Sequence, residues 1–204
     1  MNPRVILSII IICAGFVAAI LPQKQNSSIE LDARQLLYEL QLENHLISVD
    51  EMANALSNND PEYQLIDLRT EEEFKLSSLP GALNIPISRL FDPEFTPYLD
   101  QVARKNVFYS NGTTLSSQAW MLTRQKGYKN NYILQGGLNH WHKTVLQPEK
   151  PESTMDIDAL RVYQTRLGAR QFFTGDGGQS NMTSAAPKKP VPAKKKTKVS
   201  GGCS

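Results

Sequence analysis

The strongest constraint on the fold is an alternation of short apolar strands, turns and helical segments across residues 46–147. Strands are predicted at Tyr63–Leu68, Gly81–Ile87, Asn106–Ser110 and Asn131–Leu134. Helical segments are predicted at 48–58, Thr70–Lys75, Ser116–Lys126 and Leu138–Val145. Because the connections between these elements are short, the pattern predicts an α/β fold in which helices cover a parallel sheet.

Local signals place helix boundaries around this region. Ser48 with Glu51 three residues later is a capping box, which predicts the start of the helix at 48–58. Residues 30–43 carry leucines at helical spacing and predict an amphipathic lead-in helix. Residues 156–173 predict a further helix that packs either on the domain or on a partner, and the pattern does not choose between the two.

The first residues of the chain predict a membrane segment. Residues 5–21 contain no charged residue, and Arg4 and the amino terminus precede them. Such a run is either a membrane-spanning anchor or the core of a cleaved signal peptide, and the anchor is favoured. The positive charges before the run predict a cytoplasmic amino terminus and an exported, extracytoplasmic domain, which would be secreted if the segment were cleaved.

The last residues have a different composition. From 175 onwards the chain is rich in Gly, Ser, Pro and Lys, which predicts a disordered basic tail. Cys203 lies next to the carboxyl terminus and is expected to be an exposed, reactive thiol. The chain is thus divided into a hydrophobic segment, a lead-in helix, an α/β domain, a linker with a helix, and the tail: 1–22, 23–45, 46–147, 148–174 and 175–204.

Charge and cysteine content exclude several classes of function. The chain has 22 basic and 20 acidic residues, and six of the lysines lie in 187–204, so the rest holds 22 − 6 = 16 basic residues. A slightly acidic body argues against nucleic-acid binding. The only other cysteine, Cys13, lies at the opposite end of the chain from Cys203, so no internal disulfide framework is available. No metal and no cofactor is expected.

Four separate blocks of this sequence resemble the rhodanese family in order and spacing. They are LIDLRTEEEF, LPGALNIPISRL, NVFYSNG and GYKNNYILQGGLNHW, and the resemblance that they carry covers about a hundred residues. The resemblance implies a rhodanese-like parallel sheet. It also implies that the strand ending at Tyr109 delivers a six-residue loop, in which active relatives carry a cysteine that accepts and passes on sulfur as a persulfide.

The same resemblance implies that this loop lacks its catalytic groups. Ser110 stands at the cysteine position, and Leu115 stands where an arginine often closes the loop. A serine cannot form a persulfide, so sulfur transfer at this site is not expected. Asp67 and Arg69 match the first motif of the family, and their expected role is to support the loop.

Two functions remain open. In the first, the domain is a non-catalytic module, tethered through residues 5–21, that binds a small anion, a sulfur species or a protein partner. The binding loop would then be Ser110, Asn111, Gly112, Thr113, Thr114, Leu115 and Ser116, whose backbone N–H groups form an anion cradle. In the second, the protein handles sulfur through Cys203, which would carry a persulfide.

Overall fold

The computed structural model of the chain describes residues 3–4, 31–152 and 156–175. The predicted membrane segment at 5–21, Cys13, Cys203 and the tail beyond Gly175 lie outside the described residues. Within the described ranges, no helix is both long enough and apolar enough to cross a membrane.

Five parallel strands form the sheet, in the order β1-β5-β4-β2-β3. The strands are β1 (Leu46–Ile47), β2 (Tyr63–Asp67), β3 (Leu83–Asn84), β4 (Lys105–Tyr109) and β5 (Asn131–Leu134). The helices are α1 (Ala33–Leu42), α2 (Val49–Ser57), α3 (Glu71–Leu76), α4 (Thr96–Leu99), α5 (Thr114–Gln125), α6 (Gly137–Trp141) and α7 (Ile157–Thr174), with a 3₁₀ turn at Ile87–Arg89 and a π-helical turn at His142–Leu146. The predicted α/β class and its parallel sheet are therefore confirmed.

The central strand β4 explains why the sheet has a core on both faces. Val107 and Tyr109 point to one face, where they pack with Leu65, Leu134 and Trp141. The intervening Phe108 points to the other face and joins a second cluster that includes Ile66, Ile133 and Trp120. Because side chains of a strand alternate between faces, the apolar run VFY fits a strand that is buried on both sides.

Several predicted boundaries were wrong. The strand predicted at Gly81–Ile87 is reduced to Leu83–Asn84, because Gly81 adopts a positive φ of 72° and the chain enters a 3₁₀ turn at Ile87. The helix predicted from Ser116 begins at Thr114. The last domain helix ends at Trp141 and continues as a π-helical turn. The short elements β1 and α4 were not predicted.

The capping box predicted at the start of α2 is only half formed. The Ser48 side chain accepts a hydrogen bond from the Glu51 backbone N–H over 3.1 Å. The Glu51 carboxylate does not bond back to the N-cap; it accepts the hydroxyl proton of Tyr63 over 2.8 Å. Glu51 therefore ties α2 to the start of β2.

Helix α7 packs on the domain. Phe173 is buried against Trp141, with ring centroids 5.1 Å apart. Arg166 donates two hydrogen bonds to the carboxylate of Asp50 on α2, over 2.8 and 2.7 Å. This resolves the choice left open by the sequence in favour of packing on the domain.

We expect Arg166→Met to lower the free energy of unfolding by less than about 1 kcal/mol, because the Arg166–Asp50 pair is partly exposed and solvent screens it. Urea denaturation followed by tryptophan fluorescence measures the change. Arg161→Met on the same helix is the matched control, since the one salt bridge of Arg161 among the described residues joins it to its exposed neighbour Asp158 over 3.5 Å. A loss above about 2 kcal/mol for Arg166→Met would contradict the surface character of this pair.

Candidate functional site

The candidate site lies where β2 and β4 end at the same edge of the sheet. Asp67 at the end of β2 is paired in register with Tyr109 at the end of β4. The residues that follow each strand, Arg69 on one side and Ser110 on the other, are therefore brought to the same edge. Ligand sites of open parallel sheets lie beyond this carboxyl edge of the strands.

A buried ion pair supports the loop from the β2 side. Asp67 is fully buried and Arg69 is 6% exposed. Arg69 Nε and Nη2 donate to the two carboxylate oxygens of Asp67 over 3.0 and 2.7 Å. Nη2 also donates to the Ser77 carbonyl over 2.6 Å, and Nη1 to Oδ1 of Asn111 over 3.3 Å. The guanidinium thus connects the end of β2 with the loop after β4.

Electrostatics keep the groups around this pair in fixed ionisation states. Burial acts to lower the pKa of Arg69, but the hydrogen bonds and charge of Asp67 outweigh it, and the pKa is raised. Burial raises the pKa of Tyr109, and the nearby Asp67 carboxylate raises it further, so the phenol stays neutral. Its oxygen accepts a hydrogen bond from the Leu79 N–H over 3.2 Å.

The loop itself is held by helix α6 on its other side. Leu138 N–H donates to the Ser110 carbonyl over 2.9 Å, and Asn139 N–H donates to the Asn111 carbonyl over 3.0 Å. Gly137 makes this close approach of α6 to the loop possible. It has a positive φ of 59°, and a Cβ at this position would lie 2.5 Å from the Ser110 oxygen and 2.7 Å from the Gly112 oxygen.

The loop carbonyl oxygens of Ser110 and Asn111 thus accept hydrogen bonds from the protein, whereas the loop N–H groups donate none to the described residues. No backbone N–H from Asn111 to Ser116 donates to an acceptor in the described part of the chain. Thr113 is the N-cap residue of α5 and makes no side-chain capping bond. Ser116 Oγ, in the first turn of α5, is fully buried and has no partner among the described residues.

The residues proposed for the loop do not all have the same environment. Ser110 is 3% exposed, and its hydroxyl donates to the Gly112 carbonyl over 2.7 Å. Leu115 packs against the core on the α5 side of the sheet. Asn111, Thr113 and Thr114 are exposed. The polar part of the loop is therefore shorter than predicted, since α5 already begins at Thr114.

No general base among the described residues contacts the Ser110 hydroxyl. Among the described residues, neither a histidine nor a carboxylate bonds to its hydroxyl, so its nucleophilicity is not raised. The described ranges also contain no group of three or more side chains suited to hold a metal ion.

Three contributors to the site were missed by the sequence reasoning. Glu73 accepts a hydrogen bond from Nδ2 of Asn111 over 3.1 Å, and the capping box formed with Thr70 was the signal for it. Asn84 donates to the carbonyls of Asp67 and Arg69. Gly137 carries the α6 contact, and the Gly136-Gly137 pair after β5 was its signal.

Comparisons with known proteins agree with this geometry. The family described as Rhodanese-like domain matches residues 48–144. The adenylyltransferase and sulfurtransferase UBA4 of Lodderomyces elongisporus is 25% identical over 112 residues, which cover 48% of this chain and only 23% of that protein. The thiosulfate:glutathione sulfurtransferase of Saccharomyces cerevisiae is 24% identical over 104 residues, covering 46% of this chain and 75% of that protein.

A solved structure is similar as well. The human single-domain sulfurtransferase TSTD1 is 27% identical, with a TM-score of 0.41, and the match covers 49% of this chain and 96% of that one. The matched segment of the chain contains the whole sheet from β2 to β5 and the loop after β4. By the family match, residues 48–144 form a rhodanese-like domain, similar to domains of the curated sulfurtransferases named above.

Proposed function

We propose that this protein is a membrane-tethered rhodanese-like module that is inactive as a sulfurtransferase at its loop and binds a ligand there. The ligand is a small anion or the anionic group of a protein partner. One observation carries the proposal: the N–H groups from Asn111 to Ser116 have no acceptor in the described part of the chain. Such a set of donors at the start of a 12-residue helix favours a negatively charged group.

The chemistry of Ser110 supports a binding role rather than catalysis. A persulfide forms on a thiolate, and the serine oxygen has no equivalent state near neutral pH. The hydroxyl is also committed to the Gly112 carbonyl. At this position the side chain stabilises the loop and does not attack a donor.

The tether and the side of the membrane are part of the same proposal. The uncharged run at 5–21 would hold the module at a bilayer, and Arg4 before it would keep the amino terminus in the cytoplasm. The ligand would then be extracytoplasmic. Protease digestion of cells whose cytoplasmic membrane is intact tests this orientation. An extracytoplasmic domain should be cleaved, and a domain that stays protected until that membrane is permeabilised would contradict the proposal.

A second candidate function is favoured by the names of the relatives, which include a thiosulfate:glutathione sulfurtransferase. If this chain also handles sulfur, the persulfide would be carried by Cys203, because the domain between 46 and 147 contains no cysteine. The Cys203 thiolate would attack the sulfane sulfur of a donor such as thiosulfate and release sulfite. An acceptor thiolate would then take that sulfur from the persulfide and release the Cys203 thiolate.

Sulfur loading separates the two candidates. We expect full-length protein with Cys13→Ser, which leaves Cys203 as the only thiol, to keep its mass after incubation with thiosulfate or glutathione persulfide. Intact-mass spectrometry after removal of the donor is the measurement. A further variant with Ser110→Cys shows whether the loop can activate a thiol placed there.

The controls make each outcome decisive. A gain of one sulfur atom that disappears when Cys203→Ser is added would overturn the non-catalytic proposal and support the tail thiol as carrier. An unchanged mass with every donor supports the binding module.

A further inference from the structure

Glu73 is joined to the loop by a continuous set of side-chain hydrogen bonds. Arg69 Nη1 donates to Oδ1 of Asn111, and Nδ2 of Asn111 donates to Oε1 of Glu73. The amide of Asn111 is thereby oriented from both sides. The other Glu73 oxygen accepts a hydrogen bond from the N–H of Thr70. The carboxylate is therefore held in one position next to the loop.

Glu73 is ionised in this position. The Thr70 backbone N–H and the Asn111 side chain hold its pKa below the usual value of a glutamate. It therefore presents a full negative charge beside the unsatisfied N–H groups of the loop. Its own hydrogen bonds leave lone pairs on both oxygens that are free to accept further donors.

The charges around the loop make a simple anion a weaker ligand than an anion that also carries a cationic group. Two carboxylates, Asp67 and Glu73, and one guanidinium, Arg69, take part in the hydrogen-bond network that reaches Asn111. The network thus carries one negative charge, 1 − 2 = −1. The Arg69 charge is already matched by Asp67, and Leu115 adds none at the end of the loop. A bare anion on the loop N–H groups would meet the repulsion of Glu73.

We propose that the loop site selects compact zwitterions, whose sulfonate or carboxylate accepts from the N–H groups of 111–116 while an ammonium group pairs with Glu73. This rests on the proposed function, since it names the ligand class for the same loop. Glu73 is then the residue that determines specificity. Two features of the site suit the two ends of such a ligand. The loop N–H groups have no acceptor in the described part of the chain, and Glu73, although it feels the charge of Arg69, has no salt bridge among the described residues.

Taurine and ethanesulfonate are the discriminating probes, because they share a sulfonate and differ in the ammonium group. Ligand-observed NMR titrations with full-length protein in a non-ionic detergent give both affinities. We expect taurine to bind about tenfold more tightly, the effect of one partly screened ion pair near a protein surface. Glu73→Gln should remove this preference, while the glutamine oxygen can still accept from Asn111.

Glu71→Gln is the matched control. It removes the same charge from the same helix, but Glu71 pairs with Lys75 and Arg89 instead of contacting the loop. It should leave the preference for taurine unchanged.

The possible failures are distinguishable. Equal affinities of the two probes in the unmodified protein would overturn the role of Glu73 while leaving an anion-binding loop. A taurine preference that survives Glu73→Gln would do the same. Binding of neither probe would overturn both the zwitterion site and the small-anion function.

Discussion

Gly137→Ala is expected to lower the free energy of unfolding by about 3 kcal/mol and to abolish ligand binding at the loop. The positive φ of 59° alone costs an alanine about 1–2 kcal/mol. The rest arises because the new methyl group would lie 2.5 Å from the Ser110 oxygen, and a backbone atom cannot move aside cheaply. Urea denaturation measures the stability, and taurine titration measures binding.

Displacement of α6 explains why ligand binding should be abolished although the protein still folds. When Gly137 is pushed away, the hydrogen bonds from Leu138 and Asn139 to the loop carbonyls break. These bonds hold the carbonyls away from the ligand side. Without them, the loop has no fixed orientation and its N–H groups are no longer held in place for a ligand.

Gly81→Ala separates strain from contact. Gly81 has a similar positive φ of 72°, but a Cβ there would have nothing within 4 Å. It should cost about 1–2 kcal/mol and leave ligand binding intact. If Gly137→Ala cost no more than Gly81→Ala and still bound ligand, the close approach of α6 to the loop would not exist in solution.

The positions of β2, β4 and β5 along the chain were predictable from the sequence because each strand contains a short apolar run. VFY in β4 and YIL in β5 can be buried on both faces, as a helix-covered parallel sheet requires. The edge elements were less predictable. β1 has two residues and β3 has two, and their strand character comes from pairing with β5 and β2 rather than from their own composition.

The site was predictable as a place on the chain but not as a set of interactions. The resemblance located Ser110, Asp67 and Arg69, and the pairing of β2 with β4 brings them together. Glu73 and the α6 contact depend on tertiary geometry. The sequence around Glu73 reads as TEEE, and only the capping-box spacing from Thr70 distinguishes the third glutamate from the other two. That spacing predicts the cap but not the hydrogen bond of Glu73 to the loop.

Arg69→Met is expected to cost about 3–4 kcal/mol of unfolding free energy, because it leaves the fully buried Asp67 carboxylate without its counter-charge. Asp67→Asn should cost a similar amount by leaving the guanidinium unpaired. In the double variant the two losses should not add: its cost should fall short of their sum by about 2 kcal/mol, since neither charge remains to be stranded. Urea denaturation of the four proteins gives this double-mutant cycle.

Arg89→Met is the control that measures the effect of removing an exposed arginine. Arg89 is 45% exposed and pairs with Asp92 and Glu94 at the surface, so its loss should cost less than about 1 kcal/mol. If the costs of the Asp67 and Arg69 variants simply added, the two side chains would not form a buried pair in solution. The Asn111 amide would then lack its donor from Arg69, and Glu73 would have no fixed position from which to select a ligand.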